Sequence, residues 1–253
     1  MTPGTNFAIK KAVEAGLLTH VSIFSTGDYF DDGINMLANH DVLKGLHFNL
    51  TNGMSATGPN ELTDYNGKFK YGFIGIFLKS FKPNVRKIIE KEIKAQLNIL
   101  KSKVKHISHI DGHRHVHMIP FISNIVKKVS EEFNINEIRV MNERLLESLL
   151  IGRKFTLDGI GGFVKFLLLK FFYYINSIKS NYRFFSIIYT GQINTDMLTR
   201  IMSKNEKFEV MIHPSEPKLD RNIDFYNNNE KAYRLSDKRY RELEACLNFK
   251  AKK

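Results

Sequence analysis

A histidine-rich tract in the middle of the chain holds the side chains best suited to chemistry. Residues 109–117 read His-Ile-Asp-Gly-His-Arg-His-Val-His and hold four of the nine histidines. Imidazole is a good ligand for zinc and similar ions, and a carboxylate two residues away can be a ligand, an orienting partner or a proton acceptor. A solvated loop without function is the alternative. The patterned sequence on both sides favours a metal site.

The sequence around the tract indicates a strand that leads into a helix. The apolar residues Val104, Ile107 and Ile110 lie before His113, and the amphipathic segment 119–133 follows the tract. Open α/β sheets and α/β barrels bind their ligands at the carboxyl ends of the strands. The predicted elements therefore place the tract at a position where function is common.

Two more histidines lie at the ends of other predicted strands. His47 is near the end of the strand predicted at 42–50, and His213 ends the strand predicted at 208–213. Each of them alone is equally well interpreted as a packed core residue. In a parallel barrel, however, the strand ends converge, which would bring His47, His113 and His213 to one face. With Asp111 they predict a hydrolytic metal centre, in which the ion activates water and a spare histidine protonates the leaving group.

Strands alternate with helices along the whole chain. The other strands are predicted at 17–25, 137–141 and 184–190, and the helices at 2–16, 28–40, 84–103, 119–133, 143–180, 194–203 and 236–249. Alternation of this kind is typical of a parallel sheet or barrel. The sequence therefore predicts one α/β domain over residues 1–253, a normal length for such a barrel.

The composition limits the partners and the compartment. The net charge is +12, but the lysines are spread over the whole length, so a lysine-rich surface is expected and nucleic acid is not expected as a partner. Cys246 is the only cysteine, which excludes a cysteine-based zinc site and a disulfide framework. The first residues do not have the pattern of a secretion signal, and the expected location is the cytoplasm.

Two segments each have two interpretations. The run 163–175 is the most apolar in the chain, yet it is shorter than the ~20 apolar residues of a membrane span. It predicts a core helix, with an amphipathic helix in peripheral contact with a membrane as the alternative. The Gly- and Asn-rich connection 51–69 is unusually long, and is either a substrate loop or a disordered insertion.

Four motifs together resemble the YdjC-like carbohydrate deacetylases, which include chitooligosaccharide and hopanoid-biosynthesis deacetylases. They are Gly-Leu-His-Phe-Asn-Leu-Thr-Asn-Gly at 45–53, the tract at 109–117, Ile-Arg-Val at 138–140 and Glu-Val-Met-Ile-His-Pro at 209–214. The segment Thr-Pro-Gly-Thr-Asn at 2–6 and the pair Ala-Gln at 95–96 also match. The resemblance implies a distorted (β/α) TIM-like barrel that removes N-acetyl groups from an amino sugar or oligosaccharide with one divalent ion, Mg²⁺ or Zn²⁺.

The resemblance also implies roles for individual residues. The metal ligands are His47 and His113, and the catalytic residues are His213 and Asp111. The implied substrate contacts are Arg139 and Asn49, while His109, His115 and His117 support the ligands from behind. The implied partner is an N-acetylated sugar, lipid-linked in one version, and a homodimer is left open.

The chain departs from the family at its amino end. In the family, a strand that ends in Ala-Asp-Asp precedes the Thr-Pro-Gly helix, and its aspartates supply a metal ligand and the catalytic base. This chain begins after that strand, and Asp31-Asp32 lie in the second predicted helix, so they cannot replace the missing pair. The resemblance therefore implies a barrel without its first strand and two open strand edges. Either the sequence is a fragment, or the protein is a catalytically impaired or non-catalytic metal-binding form.

Overall fold

The computed structural model describes residues 1–153, 159–225 and 228–249, in which helices and strands alternate. The helices are α1 (Pro3–Glu14), α2 (Phe30–Met36), α3 (Phe73–Lys79), α4 (Pro83–Lys101), α5 (Pro120–Glu132), α6 (Leu145–Gly152), α7 (Gly159–Ile175), α8 (Thr195–Met202), α9 (Asn228–Arg234) and α10 (Asp237–Asn248). The strands are β1 (His20–Ile23), β2 (Leu43–Phe48), β3 (His109–Gly112), β4 (Glu137–Ile138), β5 (Arg183–Phe185) and β6 (Phe208–Val210). Short 3-10 helices span His113–Met118 and Pro217–Asp220.

The strands pair in two parallel sheets. One has the order β1-β2-β3-β4, and the other joins β5 to β6. The predicted α/β class with parallel strands is therefore confirmed. Among the described residues, no strand pairing links the two sheets, so closure into a barrel stays a prediction.

A cavity of about 1050 Å³ lies where a closed barrel would join the two sheets. On one side it is lined by Leu17, Leu18 and His20, at the start of β1, and on the other by Phe208 and Val210 of β6. The edge of β1 away from β2 and the edge of β6 away from β5 have no strand partner among the described residues. Two unpaired parallel edges thus border one cavity.

The predicted strand 184–190 ends early, at Phe185, because a carboxylate replaces the neighbouring strand. The backbone N–H of Ile187 donates to Oε2 of the buried Glu143 at 2.5 Å. Ser186 has a φ of 102°, which is left-handed and cannot continue an extended strand. A buried acceptor outside the sheet therefore ends β5.

The helical region predicted at 143–180 is interrupted. α6 ends at Arg153, whose left-handed backbone is a common helix stop, and residues 154–158 lie outside the described part of the chain. α7 then covers the whole apolar run 163–175 and buries Phe166, Leu169 and Phe172. No helix in the described ranges is long and apolar enough to cross a membrane.

The first helix begins as predicted, with Thr2 as its cap and Pro3 in the first turn. The Thr2 hydroxyl accepts from the backbone N–H of Thr5 and donates to Asp220 at 2.7 Å, and the N–H of Gly4 donates to the same carboxylate at 2.7 Å. These bonds attach α1 to the 3-10 helix that follows β6. Sequence reasoning missed α3 and α9, which are short helices of seven residues each.

The long connection 51–69 is anchored by the buried side chain of Glu92. This carboxylate on α4 accepts from the Ser55 hydroxyl at 2.6 Å and from the backbone N–H groups of Ala56 and Thr57. Gln96, one turn later, donates to the carbonyl of Asn49. The disordered-insertion interpretation is therefore wrong, and the role as a substrate loop stays a prediction.

Glu143 gives a test of the fold. Burial raises its pKa from the usual 4.5 to about 7, so the folded state holds the proton more tightly than the unfolded chain. Its contribution to stability is therefore present below pH 4.5 and is lost as the pH rises to about 7. We expect Glu143→Gln to reduce this loss, which urea denaturation at pH 4.5, 6 and 8 would measure. In a Glu147→Gln control, the free energy of unfolding should change with pH as it does in the wild type. An equal change with pH in the wild type and in Glu143→Gln would contradict the prediction.

Candidate metal and catalytic site

Two histidines that are distant in sequence become neighbours at the carboxyl ends of β2 and β3. His47 lies on β2, and His113 opens the 3-10 helix directly after β3. Their ring centroids are 5.5 Å apart, and the Phe24 ring packs against both, at 6.2 Å from His47 and 5.7 Å from His113. The structure thus brings together the two imidazoles that the resemblance implies as metal ligands.

Asp111 lies behind this pair as a fully buried carboxylate. Its Oδ1 is 2.7 Å from Nδ1 of His47, and its Oδ2 accepts from the hydroxyl of Ser22 at 2.9 Å and from the guanidinium of Arg139. Burial alone would raise the pKa of Asp111, but the positive charge of Arg139 and the contact with His47 hold it well below its usual range. Of the three roles open to this carboxylate, the geometry favours the orienting partner of His47.

Arg139 joins two carboxylates from different sheets. Its guanidinium donates to Asp111 of β3 and to Oε1 of Glu209 on β6. Asp111 and Glu209 together raise the pKa of Arg139 against the opposing effect of burial. Arg139 was expected to contact substrate; in the structure it is committed to these two carboxylates, and a substrate contact stays a prediction.

Sequence reasoning missed Ser22 and Glu209. Ser22 lies on β1, and its hydroxyl touches both Asp111 and Nε2 of His109. Glu209 is the first residue of the motif at 209–214, which was singled out for His213, so the motif itself pointed to Glu209. Ser22 gave no signal, because a serine in a strand is ordinary.

His109 and His117 lie near the site without touching the candidate ligands, so their expected support of these ligands stays a prediction. His109 is held between the hydroxyls of Ser22 and Ser108, at 3.0 and 2.8 Å. Nε2 of His117 is 3.1 Å from the carbonyl oxygen of Arg139. Burial lowers the pKa of each to about 4, so both rings are neutral at pH 7.

The turn after His113 has an unusual backbone. Arg114 and His115 have φ values of 54° and 63°, a left-handed conformation that is costly for residues other than glycine. His115 is buried against the ring of Phe184, with centroids 6.4 Å apart, and its Nδ1 has no hydrogen-bond partner in the described structure. Its expected support of the ligands is therefore indirect at most, through the shape of the turn.

His113 remains neutral next to two cations. Burial and the nearby His47, Arg114 and Lys165 hold the pKa of His113 well below its usual range. Lys165 of α7 is itself affected, because burial and the charge of Arg114 lower its pKa to about 8. Metal binding needs a neutral imidazole, and His113 meets this condition.

His213 follows β6 and is fixed through its backbone. Its N–H donates to Oε2 of Glu242 at 2.5 Å, and its carbonyl accepts from Nε of Arg239 at 2.9 Å. Burial, with the charges of Arg239, His47 and Arg139, lowers the pKa of His213 to about 3. Nδ1 of the ring has no partner among the described residues. The ring is thus neutral and available for a hydrogen bond.

Asn49 is enclosed in the structure. Its side-chain oxygen accepts from the N–H groups of Thr51 and Asn52, and its amide donates to the carbonyl of Asn52 at 2.6 Å. These bonds shape the chain where it leaves β2, and a substrate contact of Asn49 stays a prediction. As expected, Asp31 and Asp32 belong to α2, where they bind Lys103 and Asn6.

The donor set fits part of a metal site. His47 and His113 are neighbours, and a carboxylate holds Nδ1 of His47, the arrangement in which metal-binding histidines are commonly oriented. The described residues contain no group of three or more His, Cys, Asp or Glu side chains placed to hold an ion. The described residues thus offer two neighbouring candidate ligands. A metal ion held by them would need further donors.

Comparison with known proteins gives the family of the chain. The profile of the YdjC-like protein family matches residues 1–253. The chain belongs to the YdjC-like family. A carbohydrate deacetylase of Brevibacillus brevis is 32% identical over 135 residues, which are 52% of each protein, and the carbohydrate deacetylase of Mus musculus is 28% identical over 152 residues, or 56% of this chain and 47% of that protein. The YdjC-like chain spans about half the length of these relatives.

A solved structure shares the fold. It is a "putative cellobiose-phosphate cleavage protein" from Enterococcus faecalis V583, which superposes with a TM-score of 0.58 at 17% identity. The match covers 99% of this YdjC-like chain and 92% of that protein. At this identity, the likeness shows the fold alone.

The ion pair behind His47 gives a test of the site. Asp111→Asn leaves a buried guanidinium without its closer carboxylate, and we expect a loss of about 3 kcal/mol or more in the free energy of unfolding. Glu209→Gln should cost less, about 1 kcal/mol, because Glu209 is 31% exposed. Urea denaturation at pH 7 would measure both. Equal losses in the two variants would contradict the assigned arrangement.

Proposed function

We propose that this YdjC-like chain carries the site of a carbohydrate deacetylase, which hydrolyses the N-acetyl group of an amino sugar or oligosaccharide with the help of one divalent ion. The observation that carries the proposal is the pairing of His47 with His113, with Asp111 behind His47. The family and the names of its curated relatives support the reaction class. The sugar and the ion are open within the proposal.

In the proposed reaction, His47 and His113 would hold the ion. When bound, such an ion would lower the pKa of water to about 7 and would polarise the acetyl carbonyl. Asp111 keeps Nδ1 of His47 engaged, which turns its Nε2 outward as the free nitrogen. Because burial keeps His113 neutral, it offers its lone pair without first losing a proton.

His213 would bind the substrate as a neutral ring. A histidine with a pKa of about 3 does not carry a proton at pH 7, so its first role is a hydrogen bond to the sugar or to the acetyl group. Negative charge that develops beside the ring would raise this pKa, so that His213 could take up the proton lost by the attacking water and deliver it to the leaving amine. The backbone bonds to Glu242 and Arg239 keep the ring in place for both roles.

A non-catalytic metal-binding protein of the same fold is the second candidate. It is favoured by one observation, that the described residues supply only two neighbouring histidines and no third donor. A divalent ion with two protein ligands binds weakly, and the described part of the chain places no unpaired carboxylate beside the two rings to activate water. Metal binding without turnover would identify this candidate.

We also propose that the fold is a barrel completed by one more parallel strand between β1 and β6. The cavity there is bordered by two unpaired strand edges and by apolar side chains such as Leu17, Val210 and Phe249. The amino group of Met1 is buried near Phe24, beyond the carboxyl end of β1. A strand joined to Met1 would run through the cavity parallel to β1 and would bring its last residues to the histidine site.

The ligand role of His113 can be tested directly. We expect His113→Ala to lower acetate release from N-acetylated oligosaccharides by about a hundredfold or more, because an ion supplies several kcal/mol of stabilisation to the transition state. Calorimetric titration with Zn²⁺ should show weaker binding in the same variant. His106→Ala, a histidine on the exposed loop before β3, is the control and should match wild type. Undiminished acetate release after His113→Ala would refute the deacetylase proposal.

The completed barrel has its own test. Among residues 18–23 and 208–210, we expect fast amide hydrogen exchange at the N–H groups that point away from β2 and β5, since the outer edges of β1 and β6 have no partner strand among the described residues. A form with an additional six-residue strand of Val and Thr fused before Met1 should slow exchange at both segments and leave α4, on the far side of β2, unchanged. Protection that changes at only one of the two edges would contradict a strand placed between them.

A further inference from the structure

Three neighbouring helices leave an unusual amount of apolar surface uncovered. On α7, Val164, Leu167, Phe171, Tyr174 and Ile175 are 46–66% exposed, although the same helix buries Phe166, Leu169 and Phe172. On α6, Leu146 and Leu150 are about three-quarters exposed, at 76% and 75%. Ile74, Leu78 and Phe81, on α3 and just after it, are 52–63% exposed. We call this set the apolar face.

α3 and α7 of the apolar face pack directly against each other, and α6 shares a buried cluster with α7. The ring of Phe172 on α7 lies 5.4 Å from Phe77 and 6.5 Å from Phe73 of α3. Phe166 of α7 and Ile151 of α6 belong to one buried cluster. Each helix thus uses one side for the core and keeps a second apolar side outward, which exposed helices in water rarely do.

The charged residues in and around α3 and α7 are mostly basic. No Asp or Glu occurs in residues 65–89 or 159–195, the stretches that contain α3 and α7. The basic residues in these stretches are Lys68, Lys70, Lys79, Lys82, Arg86, Lys87, Lys165, Lys170, Lys179 and Arg183. Glu61 pairs with Lys79 and Lys82, and Glu147 and Glu206 contact Arg183, so part of this charge is balanced. The remaining cations, which include Lys70, Lys87 and Lys170, form a positive surround.

We propose that the apolar face, with its basic surround, docks on an anionic membrane surface. Exposed Leu and Phe side chains enter the boundary between headgroups and acyl chains, and the cations pair with anionic headgroups. A second copy of this chain fits less well, because a symmetric dimer would place equal positive surrounds opposite each other. α7 has 17 residues and lies on the surface in this proposal, since no described helix is able to span a bilayer.

The apolar face borders the candidate site. Arg114 and His113 lie on the 3-10 helix that packs against both α3 and α7. Nζ of Lys165 is 5.7 Å from the ring centre of Phe73, and the charges of Lys165 and Arg114 both act on His113. Docking would therefore hold the histidine pair close to the bilayer. If the proposed deacetylase function holds, the substrate class is an acetylated sugar attached to a lipid.

Co-sedimentation with lipid vesicles tests the docking. We expect the protein to bind vesicles of phosphatidylglycerol and phosphatidylcholine in equal parts, and to release from them as salt rises. The double variant Leu167→Ser/Phe171→Ser should bind about tenfold more weakly or worse, because two half-exposed apolar side chains no longer enter the lipid. Leu43→Ser/Leu247→Ser is the matched control, with similar exposure on β2 and α10, outside the three helices of the apolar face, and should bind as wild type.

The outcomes separate docking from catalysis. Loss of vesicle binding in the first double variant, with unchanged acetate release from a water-soluble acetylated oligosaccharide, supports docking at the apolar face. Equal binding by both double variants, absence of vesicle binding by the wild type, or equal binding to pure phosphatidylcholine would each overturn it. Sedimentation velocity identifies a dimer that is lost in the first double variant, and such a dimer without vesicle binding would assign the face to a second copy. An inactive protein that still docks would count against the deacetylase proposal alone.

Discussion

The contact between Asp111 and Arg139 is the interaction on which the candidate site depends. A carboxylate without solvent exposure is tolerable only when it is paired and fully hydrogen-bonded, and Arg139, His47 and Ser22 together provide this. Through it, the side chains of β1, β2 and β3 meet at one point, and Glu209 of β6 attaches the second sheet to the same guanidinium. The orientation of His47 is thus a consequence of charge compensation.

This arrangement separates support from reaction. Asp111 and Arg139 pair with each other, and His109 and His117 are buried beside them, whereas His47, His113 and His213 are partly exposed. Burial keeps His109 and His117 neutral, so little charge changes near the candidate ligands over the neutral pH range. The left-handed turn at Arg114 and His115 adds backbone strain just beyond His113, as is common near functional sites.

Much of the fold and half of the site followed from the sequence. The strands β1, β2, β3 and β6 were found because apolar patterning and turn residues are local signals, and the pairing of His47 with His113 followed from the convergence of parallel strand ends. The early end of β5 was not predictable, because it depends on Glu143, which lies more than forty residues earlier in the chain. Ser22 and Glu209 were missed for the same reason: only the tertiary structure brings them to Asp111 and Arg139. The sequence identified Asp111 as a site residue, but only its contacts in the structure favour one of its three candidate roles over the others.

The order of the first sheet has a consequence for synthesis. Its strands pair in the sequence β1-β2-β3-β4, so every pairing joins neighbours along the chain and all partners have left the ribosome once residue 138 is free. Domains fold as their segments emerge, amino end first, and contacts between consecutive elements form early. His47, Asp111 and His113 can therefore meet while the ribosome still adds the second sheet. Glu209 is synthesised last of these residues, so the guanidinium of Arg139 can pair with Asp111 before Glu209 leaves the ribosome.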